Sequence, residues 1–222
     1  MDQINKQLWD ASASGDFAKV CAAHAQGASV DTANADGRSA LMKSAKRGYE
    51  NIVRFLLDNG ANVRARDNNN KTALMGAAKK GHLNIVRMLV HAGADVNSHD
   101  NNGRTALMRA AFLGQSDVVE YLVGKGANVN ARDNKSRTAL TESVLALKMD
   151  IIQFLIENGA NVNAQDANGT TPLMRAAYGG LTELVVYLLE HGADKEIVDF
   201  DGNKAVHYVR SENLGDLKGI LK

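Results

Sequence analysis

Residues 105–130 form the stretch TALMRAAFLGQSDVVEYLVGKGANVN, and most of its pattern returns 33 residues upstream and downstream. The dipeptide Gly126-Ala127 has counterparts at Gly27-Ala28, Gly60-Ala61, Gly93-Ala94, Gly159-Ala160 and Gly192-Ala193. Leucine recurs in the same way, at positions 41, 74, 107, 140 and 173 and at positions 56, 89, 122, 155 and 188. A fixed period of this length indicates a stacked array of units, because a globule with one central core has no reason to repeat.

Each period predicts two helices. The first begins at Ser39, Thr72, Thr105, Thr138 or Thr171, all of them side chains that cap helix N-termini well. The second carries an apolar pair and an apolar triplet and ends at the repeated glycine, which can adopt the left-handed conformation. Asn-Gly and Asp-Gly turns follow. The pattern predicts an all-α fold of stacked helix-turn-helix units with short β-turn or hairpin protrusions.

A single domain over residues 1–222 is expected, with a polar cap at each end of the array. We predict an N-terminal capping repeat over 1–33 and a C-terminal capping repeat over 199–222. Between them we predict five full repeats, over 34–66, 67–99, 100–132, 133–165 and 166–198. The polar residues of the last cap are Lys204, Arg210, Glu212, Asn213, Asp216 and Lys218.

Composition limits the function classes. The formal net charge of +1 argues against an extended polyanion, such as long nucleic acid, as the partner. No apolar run reaches the length of a membrane span, and the first ten residues do not form a secretory signal. The lone Cys21 fits a reducing compartment. We expect a cytoplasmic, soluble monomer without a membrane partner.

The stretches from Asp67 to Ser98 and from Asn168 to Asn203 resemble the consensus of the ankyrin-repeat family, and the resemblance covers essentially the whole chain. It implies helix pairs with protruding β-turns that together build a concave surface. It also implies that the protein binds another protein and carries no catalytic machinery. We therefore expect a non-enzyme.

Two departures from that family's pattern stand out. Ala-Leu-Met replaces Pro-Leu-His in the first three full repeats, so that methionine fills the space of an imidazole. In the fourth full repeat, Ser136 takes a turn position, Val144 replaces an alanine and Leu147 replaces a glycine. A left-handed Ser136 would cost roughly 1–2 kcal/mol. The fourth repeat is either the weakest layer or one reshaped for a ligand.

The sequence offers no catalytic or cofactor motif. It contains no Gly-rich phosphate loop, no paired-cysteine metal motif and no nucleophile elbow. Cys21 and His24 lie one helical turn apart, but two ligands are too few for a structural zinc site. We expect no catalytic residue, no metal and no cofactor.

The candidate site is the set of positions that the resemblance places on the concave face. Its basic members are Arg38, Lys43, Lys46, Arg47, Lys71, Lys79, Lys80, Arg104, Arg109, Arg137 and Arg175, and its apolar members are Phe112, Leu113, Leu145 and Tyr178. Basic residues dominate the earlier repeats and apolar residues the later ones. This segregation favours a protein or peptide partner with acidic and apolar surface, anchored by the rings and steered by the charges.

Three alternatives remain open at this stage. One is that the face holds a short oligonucleotide or a phosphorylated small ligand, with Phe112 or Tyr178 stacked on a base. Another is an engineered or reconstructed scaffold without a natural partner, although the irregular fourth repeat argues against strict consensus design. The third is that the charges form an ordinary solvated surface with scattered apolar residues.

Overall fold

The computed structural model describes residues 1–210 and 214–222 of the chain. Regular structure in these residues is helical, and the β pairing found there consists of two isolated bridges, Ala33 with Ser39 and His99 with Thr105. Glu212 and Asn213, predicted as part of the terminal cap, lie outside the described residues. Within the described part of the chain, no helix has the length and apolar character needed to cross a membrane.

Each predicted repeat contains the expected pair of helices. The N-terminal cap consists of α1 (Gln3–Ser14) and α2 (Phe17–Ala25). The five full repeats contain α3 (Ala40–Arg47) with α4 (Glu50–Asp58), α5 (Ala73–Lys80) with α6 (Leu83–His91), α7 (Ala106–Leu113) with α8 (Ser116–Gly124), α9 (Ala139–Leu145) with α10 (Met149–Glu157), and α11 (Pro172–Tyr178) with α12 (Thr182–Glu190). A 3-10 helix (Ala205–Tyr208) and α13 (Leu214–Leu221) end the chain. The stacked helix-turn-helix solenoid predicted from the sequence is confirmed.

The chain divides into two compact units. The N-terminal unit comprises Met1–Ala110 and Asp117–Ala127, and the C-terminal unit comprises Ala111–Ser116 and Asn128–Lys222. Their cores use the same repeat positions: Leu41, Ile52 and Leu56 are buried in the first unit. Leu140, Ile151 and Leu155 are the corresponding buried side chains in the second.

The first helix of every full repeat begins with the predicted side-chain cap. The hydroxyl of Ser39 accepts a hydrogen bond from the backbone N–H of Met42 at 3.2 Å, and that of Thr105 accepts one from Met108 at 3.3 Å. In the fourth repeat the methionine is replaced by Thr141, whose hydroxyl lies 3.4 Å from the backbone nitrogen of Thr138, the donor in that bond. These bonds satisfy N–H groups that a helix start otherwise leaves without partners.

The fourth repeat carries two of the three non-glycine residues with positive φ found among the described residues. Ser136 and Leu147 both have a φ of 55°, in the left-handed region whose cost the sequence analysis considered for Ser136. The positions equivalent to Leu147 are glycines with positive φ, for example Gly81 at 74° and Gly114 at 72°. Because a Cβ is strained in this region, the fourth repeat carries a backbone cost that its neighbours avoid.

Replacing both strained residues should therefore stabilise the protein. Leu147→Gly combined with Ser136→Gly should raise the free energy of unfolding by about 1 kcal/mol or more. Urea denaturation measures this change. Hydrogen exchange of the unmodified protein should show residues 138–148 among the least protected interior segments. Equal protection of all five repeats would contradict this view of the fourth repeat.

The terminal cap covers an apolar helix. Leu184, Val185 and Leu188 of α12 are buried, and α12 contacts α13, whose Leu217 and Leu221 are also buried. Ala205 of the 3-10 helix is also buried, and this helix contacts α11 and α13. The cap therefore does for the last full repeat what a neighbouring repeat does elsewhere.

Removal of residues 201–222 should expose the apolar side of α12 and cause aggregation. Light scattering coupled to size-exclusion chromatography would report the oligomeric state, and thermal unfolding would report the loss of stability. A truncated chain that stays monomeric with an unchanged Tm would contradict the role assigned to the cap.

Candidate functional site

A buried aspartate shapes the β-turn that precedes the first helix in four of the full repeats and in the terminal cap. In each case one carboxylate oxygen accepts the backbone N–H groups two and four residues later. For Asp100 the donors are Asn102 at 2.9 Å and Arg104 at 3.0 Å. The same pair of bonds is made by Asp67, Asp133, Asp166 and Asp199. The two bonds fix the backbone of the turn, and with it the position of the Cα four residues after the aspartate.

The second carboxylate oxygen needs its own partner because the group is buried. Arg109 pairs with Asp100, and Arg175 pairs with Asp166, in both cases from nine residues further along the chain. In the terminal cap the hydroxyl of Tyr208 donates to Asp199 at 2.5 Å. That bond, with the backbone bond from Asn203, lowers the pKa of Asp199. Arg109 and Arg175, proposed from the sequence as partner-binding residues, therefore also hold the turns.

In the fourth repeat, the second carboxylate oxygen of the turn aspartate has a different kind of partner. The position nine residues after Asp133 is Glu142, whose side chain is only 1% exposed. Arg137 lies between the two carboxylates, 2.8 Å from Asp133 and 3.1 Å from Glu142. One guanidinium thus compensates two buried acids, and its five donors suit this task.

This arrangement makes Arg137 much more important to stability than Glu142. Arg137→Thr leaves two buried carboxylates facing each other and should cost about 3 kcal/mol of unfolding free energy. Glu142→Arg should cost far less, because it recreates the residue types of the third repeat, in which Arg109 pairs with Asp100 and position 104 is also arginine. Adding Glu142→Arg to Arg137→Thr recreates the set of the fifth repeat and should recover most of the loss.

Urea denaturation of the three variants, with Lys135→Thr at the exposed turn tip as a control, measures these differences. Strong non-additivity is expected because the residues share one charge network. If Arg137→Thr unfolds within about 0.5 kcal/mol of the unmodified protein, like an ordinary surface change, Arg137 does not hold the two acids.

The N-terminal unit carries a basic surface, defined here as Lys43, Lys46, Arg47, Lys71, Lys79 and Lys80. Among residues 1–210 and 214–222 none of these six forms an ion pair. The ammonium of Lys43 lies 4.9 Å from the centre of the Trp9 ring, and Trp9 in turn donates to the carbonyl of Arg38 at 2.7 Å. Burial lowers the pKa of Lys46, and the charges of Lys43, Lys79, Lys80 and Arg38 lower it further. The surface therefore repels its own charges and would gain from an anion.

The C-terminal unit carries an apolar surface, defined as Phe112, Leu113, Leu145 and Tyr178. All four lie at the C-terminal ends of first helices, and their exposed fractions are 41%, 37%, 40% and 56%. The guanidinium of Arg210 lies 5.2 Å from the centre of the Tyr178 ring. Large side chains exposed at equivalent positions of successive repeats are a common feature of binding surfaces.

One feature of the C-terminal unit was missed by sequence reasoning. An open groove of about 420 Å³ lies between the fourth and fifth repeats and is lined by Leu147, Met149, Ile152 and Leu181, among others. The only sequence signal was Leu147 itself, which is 61% exposed and holds a strained φ where other repeats have glycine. The strain places an aliphatic side chain at the edge of this groove.

Comparison with known families agrees with the geometry. The family model for ankyrin repeats (three copies) matches residues 8–100, 126–199 and 143–218, and the model for a single ankyrin repeat matches residues 102–134. The chain belongs to the ankyrin-repeat family. A comparison with curated proteins finds no match. Ankyrin repeats are generally protein–protein interaction modules and are typically non-catalytic. Nowhere in the described part of this ankyrin-repeat chain do three or more His, Cys, Asp or Glu side chains form a group suited to a metal.

Proposed function

We propose that this ankyrin-repeat protein binds a partner protein or peptide that has both acidic and apolar surface. The basic surface of the N-terminal unit receives the acidic part, and the apolar surface of the C-terminal unit receives the apolar part. The observation that carries the proposal is a set of six cations on the first helices and turns of two successive repeats, none of which forms an ion pair within the described part of the chain.

The electrostatic part of the proposal follows from how the cations are distributed. The turn arginines Arg109, Arg137 and Arg175 are neutralised by buried carboxylates, whereas the lysines of α3 and α5 are not. Unpaired surface charge of one sign attracts an oppositely charged partner and speeds its association. An acidic segment therefore suits this surface better than a basic or neutral one.

The apolar part of the proposal follows from the rings. Tyr178 and Phe112 are exposed in the free protein and would become desolvated in a complex. Buried aromatic side chains dominate the binding energy of many interfaces because they cover a large area at a small entropic cost. We assign them the role of anchors, so that they set how long the complex lasts.

Once a partner has been captured by pull-down, substitutions in the two surfaces should change different rate constants of binding. Phe112→Ala or Tyr178→Ala should weaken binding by about 2 kcal/mol or more, mainly through faster dissociation. Lys79→Ala with Lys80→Ala should mainly slow association. That second effect should shrink as salt rises past about 0.15 M, where the screening length is about 8 Å.

Arg87 supplies the control for both measurements. It lies on the second helix α6, is exposed and is absent from both surfaces. Arg87→Glu should leave the affinity within about a factor of three. If Arg87→Glu abolishes binding while Phe112→Ala and Tyr178→Ala have no effect on either rate, the proposed surfaces are not the binding site.

A further inference from the structure

A cavity in the N-terminal unit opens within the basic surface. It has a volume of about 190 Å³, enough for several water molecules. Six cations line it: Arg38, Lys43, Lys46, Lys71, Lys79 and Arg109. Asp67 is the single acidic residue in the lining.

The cavity lies where the second full repeat lacks a side chain. Gly76 stands nine residues after Asp67, at the position that holds Arg109 in the third repeat and Arg175 in the fifth. Without an arginine there, the cation found near the second oxygen of Asp67 among the described residues is Arg38, at 3.6 Å. The glycine also lets two helices approach closely, because a Cβ at Gly76 would lie 3.3 Å from the Cβ of Lys46.

The charges that line the cavity do not cancel. Arg109 is paired with Asp100, and Arg38 lies 3.2 Å from Asp36 as well as near Asp67. Both arginines are thus compensated by carboxylates. Lysines 43, 46, 71 and 79 form no ion pair within residues 1–210 and 214–222. With the six cations set against Asp36, Asp67 and Asp100, the charge around the cavity is about +3.

We infer that this cavity binds the phosphoryl group of a phosphorylated serine or threonine in the partner protein. A phosphoryl group carries a charge near −2 at neutral pH and three strong acceptor oxygens, so that it compensates several lysines at once. A side-chain carboxylate carries half that charge. Lysine ammonium groups act as point charges that bind phosphate from varied directions, whereas planar carboxylates favour the fork of arginine.

The inference rests on the proposed function only in taking a protein as the carrier of the phosphoryl group. Its test needs no partner, so that its failure would leave the pull-down measurements untouched. The probe is a capped tripeptide with phosphoserine between two alanines. The matched tripeptides carry glutamate or unmodified serine at the centre. Two-dimensional ¹H–¹⁵N NMR of the full chain follows the amides of Lys46, Met75 and Gly76 during titration.

We expect the phosphorylated tripeptide to shift these three amides with a Kd at least about fivefold lower than that of the glutamate tripeptide. Gly76→Arg fills the cavity and gives Asp67 the arginine partner that Asp100 and Asp166 have in their repeats. It also raises the positive charge of the surface by one. Binding in the cavity should therefore weaken at least tenfold in Gly76→Arg. Binding by general attraction would strengthen instead and would overturn the inference.

A second pair of variants keeps the test decisive if Gly76→Arg is poorly folded. Lys46→Gln with Lys79→Gln removes two lining charges, and Arg54→Gln with Arg87→Gln removes two charges from the second helices of the same repeats. The first pair should raise the Kd at least tenfold and the second less than twofold. Equal losses in the two pairs, or equal Kd values for phosphoserine and glutamate, would overturn the assignment. If a ten-nucleotide single strand displaces the phosphorylated tripeptide and loses affinity in Gly76→Arg, the cavity binds nucleic acid and the inference is overturned.

Discussion

A buried aspartate in the β-turn fixes the start of the first helix in the second to fifth full repeats and in the terminal cap. One oxygen of Asp100 fixes the turn by accepting two backbone N–H groups, and the other must then meet a donor inside the protein. A buried carboxylate without a partner is costly, so each of these turns has a donor nearby, which for Asp67 is Arg38 of the preceding repeat. The source of that donor differs from repeat to repeat, and this difference gives each layer its own surface chemistry.

Arginines and lysines differ in whether they pair with the buried aspartates. Arginine, with a planar fork and a permanent charge, takes the positions beside the aspartates, as Arg137 and Arg175 do. Lysines such as Lys46 and Lys79 stay outside these networks. The net charge of +1 does not show this difference, because it counts an arginine paired with a carboxylate and a lysine without an ion pair in the same way. In the proposed complex, the cations that meet the partner are lysines such as Lys46 and Lys79, which form no ion pair in the described part of the chain.

Much of the fold could be predicted because it depends on local sequence at a fixed spacing. The cap of Thr105 and the two helices of every full repeat are each decided within a few residues. The ion pairs were missed because they depend on side chains that meet nine residues apart and on burial, which a spacing alone does not give. A signal was present nonetheless, since aspartate and arginine recur at that separation in two repeats. The cavity beside Gly76 was harder still to predict from the sequence, because its lining comes from three repeats.

Asparagine side chains join neighbouring repeats in a way that bears on how such a chain can grow or shrink during evolution. Asn130 donates to the carbonyl of Gly159 at 2.9 Å, and Asn163 donates to that of Gly192 at 3.0 Å. Because the two bonds are the same bond one period apart, excision of residues 133–165 would bring Asn130 against Gly192 with its geometry unchanged. The acids and the arginine of the fourth repeat would leave together, so that no buried charge would be stranded. Gene recombination can thus edit the length of this array in whole periods, whereas a feature shared by three repeats survives only if all three stay adjacent.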